Sequence, residues 1–142
     1  MQSSIMNLIK LNNKIFRTTQ VYLDKVLKEY ELSSGSYPYI FILSKNEGIS
    51  QNKLSKELGY DKAMSARIVT KLIKLGYVDR KEDKEDSRAY KLYLTEKAKV
   101  IVPKLIDEIQ KLIDIITKDL SEADKVITIA SLDQILSNMK KL

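Results

Sequence analysis

Apolar residues recur at helical spacing over much of the chain. From Ile5 to Tyr30 they return every three or four positions, which predicts one long amphipathic helix. A serine-rich stretch at residues 33–36 interrupts this pattern, and Pro38 then lies in the first turn of a short apolar helix running toward Gly48. The first third of the chain is therefore predicted to be helical.

Two further helices are marked by their own capping residues. Ser50 can cap the first, and Gly59 follows as its stop signal. Asp61 can cap the second, which has an apolar stripe and ends at Gly76. The sequence thus predicts two helices joined by a tight turn.

The hydrophobic period changes from helical to two after Gly76. Residues 77–80 and 90–94 alternate as strands do, and the charged residues 81–88 separate them. Thr95 can then cap a long helix, which Pro103 is expected to kink, and Ser121 can cap a last one. The predicted fold is mainly α-helical with a small β-hairpin.

The order helix, helix, turn, helix, strand, charged loop, strand is that of a winged helix-turn-helix domain. We assign this domain to residues 34–102. Residues 1–33 and 103–142 have broad apolar faces, more than such a domain needs to cover itself, so we expect them to form a helical dimerisation region.

Positive charge is concentrated in the middle of the chain. The formal net charge is +6, of which residues 34–102 contribute +5, residues 1–33 contribute +2 and residues 103–142 contribute −1. A basic winged domain suits double-stranded DNA as a partner, although an ordinary solvated surface can have the same charge.

The chain contains neither cysteine nor histidine. Thiol chemistry is therefore excluded within the chain, and the commonest transition-metal ligands are missing. No phosphate-binding glycine loop and no recognisable pair of catalytic carboxylates is present. We expect no cofactor, no metal site and no enzymatic activity. Without a signal peptide or membrane span in the sequence, we expect a cytoplasmic protein.

The second helix of the motif is predicted to enter the major groove. Arg67 is the candidate for contacting a guanine edge, because its guanidinium matches O6 and N7, while Lys62 and Lys71 suit phosphates. The rest of this face offers few base hydrogen bonds, so DNA shape should contribute to specificity. These remaining residues are Ala63, Met64, Ala66 and Thr70.

The predicted wing tip holds more carboxylates than cations, and phosphate should repel it. One resolution is that Asp86 orients Arg88 toward a minor groove while the other carboxylates point away, with Lys84 as a further DNA contact. The alternative is an ordinary solvated turn.

The residues at the tip and the following strand resemble the MarR family of bacterial regulators. Residues 86–98, Asp-Ser-Arg-Ala-Tyr-Lys-Leu-Tyr-Leu-Thr-Glu-Lys-Ala, are similar to the Asp-x-Arg wing of that family and the Leu-Thr-x-x-Gly/Ala helix start that follows it. Residues 54–59, 67–72 and 75–80 support the resemblance, which covers almost the whole chain.

The resemblance implies a homodimer in which the terminal helices of two chains interleave. It maps the wing arginine of the family onto Arg88, its aspartate partner onto Asp86 and the recognition-helix arginine onto Arg67. Members typically repress genes from a pseudo-palindromic operator, and many release it when a small aromatic or anionic molecule or an oxidant binds. The lack of cysteine excludes sensing by thiol oxidation, and the lack of histidine argues against zinc sensing.

A small-molecule effector would fit where the dimerising helices meet the winged domain. Arg17, Tyr37 and Tyr39 are the candidate polar contacts, although the tyrosines can equally be packing residues and Arg17 an exposed cation. Two other functions remain open alongside DNA binding: a winged-helix module that binds a protein partner, and a small helical enzyme.

Overall fold

The computed structural model describes residues 2–85 and 90–142. The described chain is mainly helical with one antiparallel β-hairpin, which confirms the predicted fold class. It forms two compact units, residues 1–106 and residues 107–142. The first unit contains the N-terminal helices as well as the predicted winged domain, and the assignment of residues 34–102 alone to DNA binding stays a prediction.

The N-terminal segment is helical but interrupted, whereas the sequence predicted one continuous helix. Helix α1 spans Gln2–Met6, α2 spans Leu8–Val26, and a 3₁₀ helix spans Lys28–Tyr30. Asn7, between α1 and α2, keeps nearly helical backbone angles, with φ at −82° and ψ at −5°. Because the chain does not turn away there, the apolar spacing continues across the break and conceals it.

The middle of the chain has the predicted order of elements. Three helices are followed by a hairpin, which with its tip (residues 78–94) we call the wing. The bounds are Tyr37–Lys45 for α3, Gln51–Leu58 for α4, Lys62–Lys74 for α5, Val78–Glu82 for β1 and Tyr90–Leu94 for β2.

The predicted helix caps are present. Ser50, Asp61, Thr95 and Ser121 each accept a hydrogen bond on a side-chain oxygen from the backbone N–H three residues further on, at 2.7–3.2 Å. These bonds satisfy amide groups that the first helical turn cannot pair. The local sequence therefore determines where α4, α5 and the two C-terminal helices begin.

The core of the first unit joins the helices to the inner face of the wing. Leu92 and Leu94 of β2 are buried and alternate with the half-buried Tyr93, as the period of a strand requires. The long apolar side chains that are less than 2% exposed in this unit are Leu27, Tyr39, Ile40, Leu43, Leu54, Val69, Leu72, Val78, Leu92 and Leu105.

The last two helices are α6, Glu96–Ile116, and α7, Glu122–Met139. Helix α6 runs through Pro103 as one continuous element. Much of the apolar surface of α7 lies in solvent in the single chain, including Ile129, Leu132 and Leu136, each 46–61% exposed. Among the described residues, no helix has the length and hydropathy needed to cross a membrane.

Candidate nucleic-acid interface

Helix α5 has one buried and one exposed face. Ser65, Val69 and Leu72 are each only 1% exposed and face the core. The predicted DNA-contacting residues of α5 lie on the remaining surface, all exposed except the half-buried Ala66. The exposed members are Lys62, Ala63, Met64, Arg67, Thr70 and Lys71.

Three cations follow one another along the exposed face of α5. Arg67, Lys71 and Lys74 occupy positions i, i+4 and i+7, so they lie one above the other on the helix. None of the three forms an ion pair with another described residue. Their charges are available to an external anion. Lys74 was not among the predicted contacts, although its spacing from Arg67 is visible in the sequence.

The turn between α4 and α5 is held by two hydrogen bonds between the same residues. Ser55 Oγ donates to the carbonyl of Tyr60 at 2.8 Å, and the N–H of Tyr60 donates to the carbonyl of Ser55 at 3.2 Å. Gly59 ends α4 with a left-handed φ of 73°. Together with the Asp61 cap, these bonds fix the point at which α5 leaves α4.

A buried hydrogen bond anchors the inner face of α5 to α3. The hydroxyl of Tyr39 lies 2.6 Å from Ser65 Oγ, and the Tyr39 ring stacks with that of Tyr60 at a centroid distance of 6.1 Å. Burial raises the pKa of Tyr39, and this hydroxyl, like that of an ordinary tyrosine, is protonated near neutral pH. Ser65 is the polar member of an otherwise apolar inner face, and Tyr39 provides its partner.

The wing is tied to the loop that precedes α4. The N–H of Gly48 donates to the carbonyl of Leu92 at 2.8 Å, and the N–H of Leu92 donates to the carbonyl of Ile49 at 3.0 Å. An isolated bridge between Ser50 and Lys91 continues this pairing. Residues 48–50 therefore pair with β2 as a short third segment beside the hairpin, and this pairing links the wing to the helix-turn-helix.

Two wing cations pack over tyrosine rings of the opposite strand. The Arg80 guanidinium lies 4.4 Å from the ring centroid of Tyr90, and Lys81 Nζ lies 4.9 Å from that of Tyr93. Lys84 is exposed near the tip. Asp86 and Arg88, the pair predicted to contact a minor groove, lie outside the described residues, and their roles stay predictions.

The three predicted effector contacts are not brought together. Tyr39 is fully buried in the core, and its hydroxyl is bonded to Ser65. Arg17 is exposed on α2. Tyr37 lines a cavity of about 590 Å³ that neither of the other two lines. Sequence spacing missed this separation because it cannot show which side of a short helix becomes core.

The cavity lies between α2, the loop before α3 and the helix α5. Phe16 and Leu23 contribute from α2, Tyr37 from the start of α3, and Met64 and Ile68 from α5. Burial raises the pKa of Tyr37, whose hydroxyl is neutral near pH 7, as in an ordinary tyrosine. One wall of the cavity is therefore formed by the same helix that exposes the cationic row.

A family model described as the MarR family matches residues 30–89. The HTH-type transcriptional regulator BilQ of Clostridioides difficile (strain CD3) is 31% identical to the chain over 105 residues, which cover 74% of this chain and 71% of that protein. The chain belongs to the MarR family. This confirms the resemblance noted in the sequence.

Two solved structures are similar to this MarR-family protein in their three-dimensional fold. A MarR protein from Peptoclostridium difficile has a TM-score of 0.91 and 30% identity, covering 95% of this chain and 88% of that one. A MarR family transcriptional regulator from Listeria monocytogenes, solved in complex with a 26mer DNA, has a TM-score of 0.88 and 25% identity, covering 93% of this chain and 88% of that one.

The anchoring of α5 in this MarR-family protein leads to a testable expectation. Ser65→Ala and Tyr39→Phe should each lower the free energy of unfolding by about 1–3 kcal/mol, because each leaves a buried hydroxyl without its partner. The double variant should lower the free energy of unfolding by less than the sum of the two single losses, since it leaves no unpaired hydroxyl. Urea unfolding measures these values, with Ser131→Ala on the exposed surface of α7 as the control. Strictly additive costs would show that the two hydroxyls do not interact.

Proposed function

We propose that the chain is a sequence-specific repressor that binds duplex DNA as a homodimer. The observation that supports DNA binding most directly is the exposed row of Arg67, Lys71 and Lys74 on α5. The opposite face of this helix is packed in the core. A helix that is anchored in the core on one face, and whose outer cations form no ion pair with a described residue, meets the requirements for insertion into a major groove. The DNA in the Listeria monocytogenes relative supports the same role.

The residues of α5 differ in what they can contribute to binding. We propose that Arg67 hydrogen-bonds a guanine edge, while Lys62, Lys71 and Lys74 neutralise phosphates. Ala63, Met64, half-buried Ala66 and Thr70 allow close approach of the helix but offer few hydrogen bonds to bases. The sequence preference should therefore depend partly on the shape of the operator. Lys84 and the pair Asp86 and Arg88 would contribute from the wing.

The DNA contacts can be tested by titrating promoter DNA of the encoding gene at several salt concentrations. Affinity should fall steeply between roughly 50 mM and 200 mM salt because several phosphates are neutralised. Lys71→Ala should lower the slope of log affinity against log salt by about one, whereas Arg67→Ala should also relax specificity at one base pair by about 1–3 kcal/mol.

Lys104→Ala, an exposed lysine of α6, is the matched control and should leave both slope and affinity unchanged. Absence of salt-dependent binding by the unaltered protein would contradict the proposal. One stoichiometric protein partner, recovered together with that result, would favour the winged-helix protein-interaction module instead.

The proposed homodimer is supported by the apolar surface that the single chain leaves in solvent. On α7, Ile129, Leu132 and Leu136 lie at positions i, i+3 and i+7, which places them on one side of the helix. In α1 and α2, several more apolar side chains are 43–80% exposed. Exposed apolar rows of this kind mark contact surfaces, and a second copy of the chain would cover both ends. Two-fold symmetry would then place the half-sites about one helical turn of DNA apart.

Replacement of one residue in the α7 row should disrupt the dimer. We expect Leu132→Asp to shift the protein from dimer to monomer in analytical ultracentrifugation, and to weaken operator binding because the two recognition helices are no longer linked. Ser137→Asp introduces the same charge on a different side of α7 and should leave the dimer intact. A monomeric unaltered protein at micromolar concentration would contradict this part of the proposal.

We further propose that an aromatic effector occupies the cavity lined by Tyr37. Its described lining includes one charged side chain, Asp24, whose carboxylate accepts a hydrogen bond from the N–H of Ser34 at 2.7 Å. A neutral aromatic molecule therefore suits this cavity better than an anion. Because Met64 and Ile68 line it too, the ligand would contact the recognition helix and favour one position of that helix over another.

Benzamide and benzoate are a matched pair for this test, since they differ in charge but hardly in shape. Benzamide should raise the melting temperature of the protein and weaken its binding to DNA, and Tyr37→Ala should abolish both effects. Benzoate should act more weakly, because Asp24 would repel it. Stabilisation by benzoate alone would show that the cavity selects anions.

A further inference from the structure

The C-terminal end of α5 is bound by two residues from another element. The carbonyl of Leu75 accepts a hydrogen bond from Lys97 Nζ at 2.5 Å, and the carbonyl of Gly76 accepts one from Thr95 Oγ1 at 2.6 Å. The carbonyl of Tyr77 accepts from the N–H of Thr95 at 3.1 Å. Three consecutive carbonyls at the end of α5 are thus held by the start of α6.

Lys97 also makes a cation–π contact at this point. Its Nζ lies 4.7 Å from the ring centroid of Tyr77. Its aliphatic part lies across Gly76, where an added Cβ would be 3.7 Å from Lys97 Cδ. Gly76 has a left-handed φ of 80°, which turns the chain from α5 toward the wing. The lysine therefore packs against the turn itself.

Tyr77 connects the same point to the end of the N-terminal helices. Its side chain is buried, and its hydroxyl donates to the carbonyl of Tyr30 at 2.7 Å, across 47 positions of sequence. Burial raises the pKa of Tyr77, and the nearby Glu31 raises it further, so the hydroxyl keeps the proton that it donates.

Helix α5 does not need these bonds in order to end. The N–H of Gly76 already donates to the carbonyl of Ile73 at 3.0 Å, and the N–H of Tyr77 donates to that of Leu72 at 2.9 Å. These local bonds satisfy carbonyls of the last helical turn. The bonds from Thr95 and Lys97 come in addition, and they determine where the end of α5 lies relative to α6.

We propose that Tyr77, Thr95 and Lys97 are positioning residues that hold the recognition helix α5 at the angle required for DNA binding. The inference rests on the proposed function of α5, and it adds a physical connection to both the N-terminal helices and the start of α6. Hydrogen bonds are directional, so a shift of the Tyr30 carbonyl or of α6 would be transmitted to the end of α5. None of the three residues needs to contact DNA for this role.

The most specific test is Tyr77→Phe, which removes the hydroxyl but keeps the ring beneath Lys97. We expect the dissociation constant for operator DNA to rise about tenfold, as for the loss of one positioning hydrogen bond. Its dependence on salt should stay the same, because no cation is lost. Tyr22→Phe removes a hydroxyl from a half-buried tyrosine of α2 and is the matched control, with no change expected.

Substitutions of Thr95 and Lys97 test the proposed positioning role separately from Tyr77. Thr95→Val, which removes both the bond to Gly76 and the cap of α6, should weaken DNA binding, and Thr95→Ser, which keeps the hydroxyl, should restore it. Tyr77→Phe and Lys97→Met should be non-additive in their effects on the dissociation constant, because they act on one unit. If these variants only lower the melting temperature, while the folded protein binds DNA as tightly as before, the positioning role is wrong and the contacts are merely structural.

Hydrogen exchange separates this inference from the proposed function. In the absence of DNA, Tyr77→Phe should speed exchange of the backbone amides in the last turn of α5 and leave those of α7 unchanged. Unaltered exchange in α5 would overturn the positioning role even if the protein binds DNA. Faster exchange in α5 together with no DNA binding by the unaltered protein would instead contradict the proposed function alone.

Discussion

The rotation of α5 about its own axis is the constraint on which the exposed surface of the winged domain depends. Successive residues of a helix are about 100° apart, so a rotation by even part of that angle would move Arg67 and Lys71 away from the centre of the outer face. Apolar contacts alone tolerate such a rotation, because the hydrophobic effect has no direction. The hydrogen bond between Tyr39 and Ser65 does not tolerate such a rotation, because it forms only when the Ser65 hydroxyl faces that of Tyr39.

The charges at the two ends of α5 follow the helix dipole, with one exception. At the N-terminus, Asp61 accepts a hydrogen bond from the N–H of Met64, and its negative charge is favourable next to the positive end of the helix. At the C-terminus, Lys71 and Lys74 lie in the last turn, where cations are favourable. Lys62 is the exception, because it is a cation in the first turn, next to the Asp61 cap and near the positive end of the helix.

Local signals in the sequence predict most of the fold. The features that the sequence did not predict depend mainly on long-range contacts. The caps at Ser50, Asp61, Thr95 and Ser121 were predictable because each bond spans three residues. The bonds from Tyr39 to Ser65 and from Tyr77 to Tyr30 span 26 and 47 residues, and no local pattern distinguishes a tyrosine that makes such a bond. For the same reason the sequence does not separate Tyr39 from Tyr37, although only Tyr37 lines the cavity. The interruption at Asn7 was missed because the apolar spacing continues through it.

The position of the cavity relates ligand binding to the anchoring of α5. Tyr60 lines the cavity and also stacks on Tyr39, the partner of Ser65, while Met64 is both part of the cavity wall and exposed beside the cationic row. A ligand that fits only when Tyr60 or Met64 moves would therefore act directly on the contacts that set the rotation of α5. A ligand that bound equally well to every position of α5 would not change DNA binding, however tight its binding. Regulation by such a ligand therefore depends on the difference between its affinities for different positions of α5, and not on its affinity for one of them.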